Sequence, residues 1–239
     1  MEAKYKNFKT YLEENQNERP KEIFVQLADL LQHKLDADKQ LNVLDVGCAT
    51  GALVQYLKQR FNHWSLFGED ISHDLISEAK VRVTDASFSV GSVLEEAGNS
   101  ETPYNVIVCT GVLGIFDEAE ARQMVTNLVN RLAPRGVLVL VANFNDFDVD
   151  VQITHRKTID DKQGDWEKGW NIFSKSTLNE WVSDLNCEAE FKDFSLPFDL
   201  ERNKKDPVRT WSVEVNSEKR LTNGLKILVD LGFMVVRKK

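Results

Sequence analysis

The chain has 239 residues, of which 42% are hydrophobic, and it carries a formal net charge of −8 at pH 7. This length suffices for one well-buried domain, so we predict a single domain over residues 1–239. The acidic balance, with interspersed charges, argues against a nucleic-acid partner. No apolar run reaches the ~18–20 residues that span a bilayer. The charged N-terminus lacks a signal-peptide core, and three distant cysteines fit a reducing compartment, so we expect a cytoplasmic location.

Helix and strand patterns alternate along the first part of the chain. A helical pattern up to about residue 35 precedes a short apolar strand, Leu41–Val46, and a glycine turn. The elements predicted after this turn are helices at about 51–60, 73–81 and 117–133, and strands at about 65–70, 86–90, 104–110 and 136–143. Strict alternation of this kind predicts an α/β domain with a parallel sheet and right-handed crossovers.

The pattern changes after Asn143. Residues 144–173 are polar and aromatic without clear periodicity, and long connections of this kind tend to carry function. A helix at about 175–185, a strand near 189–194, a hairpin around 211–222 and a final strand, GFMVVRK, follow. The complete prediction is a mostly parallel seven-stranded sheet with helices on both faces. An N-terminal helical cap over 1–36 and insertions at 144–173 and 197–228 are added to this sheet.

The first strand leads into a glycine loop, Asp45-Val46-Gly47-Cys48-Ala49-Thr50-Gly51. Glycines at these places let the backbone turn tightly and approach a ligand, and the next helix offers its N-terminal amides. A dinucleotide site would show G-x-G-x-x-G, whereas Ala49 stands where the middle glycine would be. An acid before the loop would lie close to a pyrophosphate, but it suits a ligand with an ammonium group. Asp45 therefore favours S-adenosylmethionine over NAD.

The second strand ends in Gly68-Glu69-Asp70-Ile71-Ser72. An acid at the end of this strand can accept hydrogen bonds from both ribose hydroxyls of a nucleotide, which is the interpretation of Asp70 that we favour. The alternative is a helix N-cap, a role that Ser72 fills equally well.

These motifs resemble those of class I S-adenosylmethionine-dependent methyltransferases over Leu41 to about Val141, which implies a Rossmann-like fold. VLDVGCATG resembles the first motif of the family, GEDIS its ribose-binding strand end, and YNVIVCTGVLGIF and RLAPRGVLVLVANFN its fourth and fifth strands. The stretch WEKGWNIFS and the tail resemble a bacterial subgroup that modifies polysaccharides or small metabolites.

The resemblance implies a cofactor site at the ends of the first four strands. Its implied residues are Asp45, Gly47, Cys48, Ala49 and Gly51 around the methionine part, Asp70 and Ile71 at the ribose and adenine, and Thr110 and Gly111 beside the reactive end. Ser92 stands where the family commonly has an acid for the adenine amino group, and Val93 offers a backbone amide instead.

Methyl transfer requires an aligned acceptor, and it requires a general base only when the acceptor is protonated. His155, in the insertion after the fifth strand, is the candidate base; the alternative is an exposed loop histidine beside Arg156 and Lys157. Trp166, Trp170 and Asn171 are candidate acceptor-binding residues, since sugar and aromatic acceptors stack on aromatic faces and bond nearby polar groups. The alternative is ordinary packing of a lid. The four histidines lack metal-ligand spacing among themselves, so no metal is expected.

The sequence therefore predicts a methyltransferase that acts on a small-molecule or sugar acceptor, with oxygen as the methylated atom. Two alternatives remain open. One is a methyltransferase-like module that binds S-adenosylmethionine without catalysis, and the other is an NAD(P)-dependent oxidoreductase on a related sheet.

Overall fold

A computed structural model of the chain describes residues 20–36, 38–95, 103–159, 162–204 and 206–238. The first part of the predicted N-terminal cap, residues 1–19, lies outside these ranges. The helices are α1 (Glu22–Lys34), α2 (Ala52–Arg60), α3 (His73–Arg82), α4 (Glu118–Asn130) and α5 (Lys175–Asp184), with a short 3₁₀ turn at Leu113–Ile115. No helix in the described ranges combines the length and hydropathy needed to cross a bilayer.

The strands follow the predicted order, with several additional short ones. The long strands are β1 (Asn42–Val46), β2 (Ser65–Asp70), β3 (Ser87–Val90), β4 (Tyr104–Thr110) and β5 (Leu132–Asn145). Five two-residue strands come next: β6 (Thr154–His155), β7 (Thr158–Ile159), β8 (Lys162–Gln163), β9 (Glu167–Lys168) and β10 (Phe173–Ser174). The last four are β11 (Cys187–Asp193), β12 (Trp211–Val215), β13 (Glu218–Thr222) and β14 (Leu231–Lys238).

The central sheet has the strand order β3-β2-β1-β4-β5-β14-β11, and β10 adds to the end of β5. Strands β1 to β5 are parallel, whereas β14 runs antiparallel to both β5 and β11. The prediction of a mostly parallel seven-stranded sheet is confirmed. The order reverses between β1 and β4, which is the place where open sheets of this kind bind ligands at the strand carboxyl ends.

Two apolar clusters cover the two faces of the sheet. In β5, Leu138 and Leu140 face the cluster that contains α4 and α5, while Val137, Val139 and Val141 face the cluster that contains α1, α2 and α3. A strand buried on both faces must be apolar at every position, which explains the unbroken run GVLVLVAN.

The boundary between α4 and β5 differs from the prediction. The helix begins with a capping box formed by Asp117 and Glu120, and it ends at Asn130 rather than near 133. β5 already begins at Leu132, and the register against β4 then shifts, so that Tyr104 pairs with Leu132 but Val106 pairs with Val137. The extra residues bulge out around Arg135, whose φ is +61°.

Two long connections emerge at the carboxyl edge of the sheet. The first, which we call the arm, comprises residues 146–172, and the second, the hairpin segment, comprises residues 194–230. Within the arm, β6 pairs with β9 and β7 pairs with β8, which makes a nested antiparallel ladder that the sequence pattern did not predict. The predicted hairpin is present as β12 and β13, joined by Asn216 and Ser217 at positive φ.

Candidate functional site

The glycine loop is fixed to the end of β2 by backbone hydrogen bonds. The amides of Gly47 and Cys48 donate to the carbonyl of Glu69, at 2.8 and 3.1 Å. Gly47 has a φ of +73°, and a Cβ built on it would lie 2.5 Å from the Cγ2 atom of Val112. Gly51 has a φ of +77° and precedes α2, so the loop delivers the N-terminus of that helix to the carboxyl edge.

Asp70, at the end of β2, joins this loop to the start of the next helix. Its Oδ2 atom accepts a hydrogen bond from the amide of Ala49 and its Oδ1 atom accepts one from the amide of Ser72, both at 2.9 Å. Ser72 itself caps α3 by accepting from the amide of Leu75. Burial raises the pKa of the Asp70 carboxyl above its ordinary value, although the backbone hydrogen bonds act against this shift.

Asp45 is the most deeply buried acid of the site, with 3% of its surface exposed. Burial raises the pKa of its carboxyl well above the usual range, and the nearby Asp70 raises it further. Within the described residues, no donor hydrogen-bonds to the Asp45 carboxyl. A buried carboxyl without a partner lowers the stability of the folded chain, so this position suits a ligand that brings a hydrogen-bond donor or a positive charge.

The end of β4 also has a buried polar atom without a partner in the described residues, and it has free space beside it. The Thr110 hydroxyl oxygen is buried and has no hydrogen-bond partner in the described part of the chain. Gly111 follows with a φ of +71°, and a Cβ built on it would meet no atom within 4 Å. The end of β4 therefore offers both an unused polar atom and free space for a ligand.

Two exposed apolar side chains flank Asp70. Ile71, after β2, is 40% exposed, and Val90, at the end of β3, is 50% exposed. Exposed branched side chains on either side of an acid that can bind a ribose are able to pack on the flat face of the nucleotide base. Ser92 uses its hydroxyl to accept from the amide of Leu94, and the carbonyl of Val93 accepts from the buried side-chain amide of Asn127.

The structure thus places all the predicted cofactor residues at the carboxyl ends of β1 to β4. Val90 and Asn127 were not predicted from the sequence. Val90 resembles any other strand residue, and the role of Asn127 depends on a contact 34 residues away. The sequence also gives no sign of the pair Glu69–Arg131, a partly buried ion pair with two hydrogen bonds of 2.9 and 2.7 Å. No group of residues in the described ranges has the arrangement of a metal site.

His155 lies on β6 in the arm, partly buried. Its Nδ1 atom is 3.0 Å from the backbone carbonyl of Glu167, its partner in the ladder with β9. A carbonyl oxygen only accepts hydrogen bonds, so Nδ1 carries the proton when the ring is neutral and Nε2 keeps a lone pair. This arrangement leaves Nε2 able to accept a proton.

The three candidate acceptor-binding residues lie in different environments. Trp166 is 64% exposed, with the Arg156 guanidinium 4.9 Å above its ring centre. Trp170 adopts a φ of +64°, an uncommon conformation for a non-glycine residue. Asn171 is buried, and its side chain donates to the carbonyl of Phe116 at 2.7 Å and accepts from the amide of Ile153 at 2.7 Å.

Asn171 therefore fastens the arm to the turn after β4, and its backbone amide also donates to the carbonyl of Gly114. A Cβ on Gly114 would lie 2.9 Å from the carbonyl oxygen of Asn171, so the two backbones are in close contact. The hydrogen bonds of Asn171 are those of a structural residue, while Trp166 presents an exposed aromatic face. The arm is thus fastened to the turn that follows Thr110 and Gly111.

The model of a methyltransferase-domain family matches residues 13–190 of the chain. Two curated relatives are malonyl-[acyl-carrier protein] O-methyltransferases. The one from Bacillus anthracis is 22% identical over 171 residues, which are 70% of this chain and 60% of that protein. The one from Acetivibrio thermocellus is 28% identical over 112 residues, covering 47% of this chain and 38% of that protein. The chain thus spans less than two thirds of either relative.

Solved structures with the same fold include an amino pentose methyltransferase from Micromonospora echinaspora with bound S-adenosylmethionine. It has a TM-score of 0.61 and 15% identity, with all of both chains covered. A magnesium protoporphyrin IX methyltransferase from Synechocystis with bound S-adenosylhomocysteine has a TM-score of 0.56 and 16% identity, covering 91% of this chain and 82% of that one. At these identities the likeness concerns the fold.

Proposed function

Because the chain belongs to the methyltransferase-domain family, we propose that it transfers a methyl group from S-adenosylmethionine to an oxygen atom of a small-molecule acceptor, sugars included. Membership of this family supports S-adenosylmethionine as the cofactor and argues against the oxidoreductase alternative. The acceptor, the methylated atom and the residue roles below are the proposal.

The residues at the carboxyl edge fit this cofactor. The Asp45 carboxyl, which has no hydrogen-bond donor among the described residues, provides the acceptor that the ammonium group of the methionine part requires. Asp70 already orders the Ala49 amide, and a carboxylate has lone pairs left for ribose hydroxyls. Ile71 and Val90 flank the place for adenine, and the open side of Gly111 leaves room at the reactive end. The burial of the Asp45 carboxyl, with no donor to it in the described part of the chain, is the observation that carries the assignment.

When bound, S-adenosylmethionine supplies a methyl group on a positively charged sulfur that departs as a neutral thioether. The protein has to hold the acceptor oxygen in line with that methyl group and to exclude water. The arm, which Asn171 fastens to the turn after β4, is the element that can close the site.

His155 is the proposed general base for a hydroxyl acceptor. The Glu167 carbonyl fixes its tautomer, so Nε2 receives the hydroxyl proton as the oxygen–carbon bond forms. An oxygen acceptor is also supported by the names of the two curated relatives, which are O-methyltransferases. A carboxylate acceptor, by contrast, needs no base, and this difference can be tested.

A cytoplasmic location remains part of the proposal, supported by three free, buried cysteines.

Calorimetry with S-adenosylhomocysteine and with NAD tests the cofactor assignment. We expect saturable binding of S-adenosylhomocysteine, no binding of NAD, and at least tenfold weaker binding of S-adenosylhomocysteine by Asp70→Ala. Binding of NAD alone, or unchanged affinity in the variant, would contradict the assignment.

Labelled S-adenosylmethionine with a panel of hydroxyl, sugar and carboxylate acceptors then tests catalysis. Binding without transfer to any member would favour the catalytically inactive binding module.

A further inference from the structure

Of the ten arginines in the described ranges, Arg156 and Arg202 are the two that lie in the connections at the carboxyl edge without an acidic partner there. Arg135 and Arg237, at the other edge of the sheet, also form no ion pair in the described ranges. Six arginines form ion pairs with acidic side chains: Arg60, Arg82, Arg122, Arg131, Arg209 and Arg220. Arg156 and Arg202 form no ion pair within the described ranges, although acidic residues outnumber basic ones by 38 to 30 over the whole sequence. Both are exposed and both lie in the long connections at the carboxyl edge of the sheet.

Each of these arginines stacks on a tryptophan instead. The Arg156 guanidinium lies 4.9 Å from the ring centre of Trp166, and that of Arg202 lies 5.2 Å from the ring centre of Trp211. A cation–π contact of this kind uses no hydrogen-bond acceptor, and no oxygen atom in the described ranges accepts from either guanidinium, so its N–H groups remain able to donate to an anion. The aromatic ring also restricts the side chain, so less conformational entropy is lost when an anion binds.

The arm and the hairpin segment are fastened to each other next to these arginines. Lys157, which follows Arg156, forms a 2.9 Å ion pair with Asp206. The Asp206 side chain is only 12% exposed and also pairs with Arg209. On the other side, the amide of Ser212 bonds to the carbonyl of Leu200, which brings the strand of Trp211 beside the stretch with Arg202. The partly buried pair Lys157–Asp206 thus joins the segments that carry the two stacks.

The fold places this joined structure on the side where the acceptor must enter. The arm leaves the end of β5 and is held to the turn after β4 by Asn171, beside Thr110 and Gly111. The hairpin segment leaves β11 at Asp193 and returns at Leu231, which pairs with Asn143 at the same edge.

We propose that Arg156 and Arg202, each stacked on its tryptophan, form an anion-binding face that recognises a carboxylate or phosphate group of the methyl acceptor. This inference rests on the proposed function, because it assigns a charge to the acceptor of that same site. Planar guanidinium groups bind both kinds of oxyanion through paired hydrogen bonds, so the two sources share one chemistry.

The test uses the full chain saturated with S-adenosylhomocysteine and titrated with inorganic phosphate or with acetate, against chloride at matched ionic strength. Binding is followed by NMR at the arginine Nε–H and tryptophan indole N–H signals. We expect saturable shifts at Arg156, Trp166, Arg202 and Trp211 with phosphate, with acetate or with both. The anion that gives the stronger shifts identifies the acceptor group, and chloride leaves these signals unchanged.

Three variants make the test specific. Arg156→Met and Arg202→Met should each weaken binding of the preferred anion by about tenfold, because each loses a charged hydrogen-bonding group. Arg156→Lys keeps the charge but loses the planar group and should fall between Arg156→Met and the parent chain. Arg135→Met, a control at the opposite edge of the sheet, should change affinity less than twofold.

Absence of saturable shifts with either anion, or equal weakening by Arg135→Met, would overturn the proposal. Failure of S-adenosylhomocysteine to bind the unmodified chain would instead refute the proposed function. The anion titration on the free protein would still report on the arginine face.

Discussion

The Ala49 amide donates a 2.9 Å hydrogen bond to the Asp70 carboxylate while Ala49 itself has a φ of +47°. The loop after β1 and the end of β2 are therefore joined by a bond whose donor is held in a conformation that a Cβ disfavours. Strain of this kind persists where the surrounding structure enforces it, often at ligand sites.

Replacing Ala49 by glycine should relieve this strain. The left-handed conformation costs an alanine about 1–2 kcal/mol, and glycine loses about 0.5–1 kcal/mol through its more flexible unfolded state. We expect Ala49→Gly to raise the free energy of unfolding by about 0.5 kcal/mol, measured by urea denaturation. The control is Ala119→Gly, in the exposed first turn of α4, which should lower stability. Destabilisation by both variants would show that the conformation of Ala49 carries no strain.

We expect Asp45 to lower the stability of the free protein and to raise its affinity for the cofactor. Its buried carboxyl has no hydrogen-bond donor within the ranges that the structure describes. Asp45→Asn removes the burial cost of a charge and should therefore stabilise the free chain by about 1 kcal/mol, or about 2–4 °C in Tm. The same variant should bind S-adenosylhomocysteine at least tenfold more weakly, because a charged hydrogen bond is lost. Thermal melts and calorimetry measure the two effects. Asp74→Asn, whose side chain is 92% exposed, should change neither.

The raised pKa of the Asp45 carboxyl also predicts a pH dependence. Since the folded chain holds this proton more tightly than the unfolded chain, stability is greatest below the ordinary carboxyl pKa and falls as pH rises through the raised value. Ligand affinity should change in the opposite direction, because an ammonium group binds the ionised carboxylate. We expect the affinity for S-adenosylhomocysteine to rise as the pH rises through the raised pKa of Asp45, and binding below that pKa to release a proton to the buffer.

Calorimetry in two buffers of different ionisation enthalpy measures this proton release. It should disappear in Asp45→Asn and persist in Asp74→Asn. A flat affinity profile with no proton release would mean that Asp45 is already ionised in the free chain.

How much of the site the sequence could predict depended on how local each contact is. Asp45, Gly47 and Asp70 each adjoin a strand end, and the order of the parallel strands alone brings those ends together. The arm is different, because Asn171 acts through the carbonyl of Phe116, 55 residues away, and the amide of Ile153, 18 residues away. A periodic sequence pattern contains no information on such contacts, so the sequence alone predicts Asn171 as a residue that binds the acceptor, and its hydrogen bonds to the turn after β4 are visible only in the fold.

His155→Gln separates two kinds of oxygen acceptor. If the acceptor is a hydroxyl, loss of the base should lower kcat by about 10²–10⁴-fold and leave the affinity for S-adenosylhomocysteine unchanged. If it is a carboxylate, kcat should change little, since no proton has to be removed. Single-turnover transfer of labelled methyl groups to the acceptor found in the panel measures the difference. His73→Gln, at an 85% exposed side chain, is the control, and equal losses in both variants would rule out a specific role for His155.

Asn171 should support the arm rather than bind the acceptor directly. Asn171→Ala leaves the carbonyl of Phe116 and the amide of Ile153 without partners in a buried place, which should cost about 2–4 kcal/mol. Asn145→Ala removes a matched pair of backbone hydrogen bonds, to the carbonyl of Val149 and from the amide of Phe147, at an exposed site, so it should cost less than about 1 kcal/mol. Urea denaturation gives both values, and hydrogen exchange should show faster opening of residues 151–172 in Asn171→Ala alone. Equal stability of the two variants, with unchanged exchange in the arm, would mean that the arm is held by other contacts and that Asn171 is free to bind the acceptor.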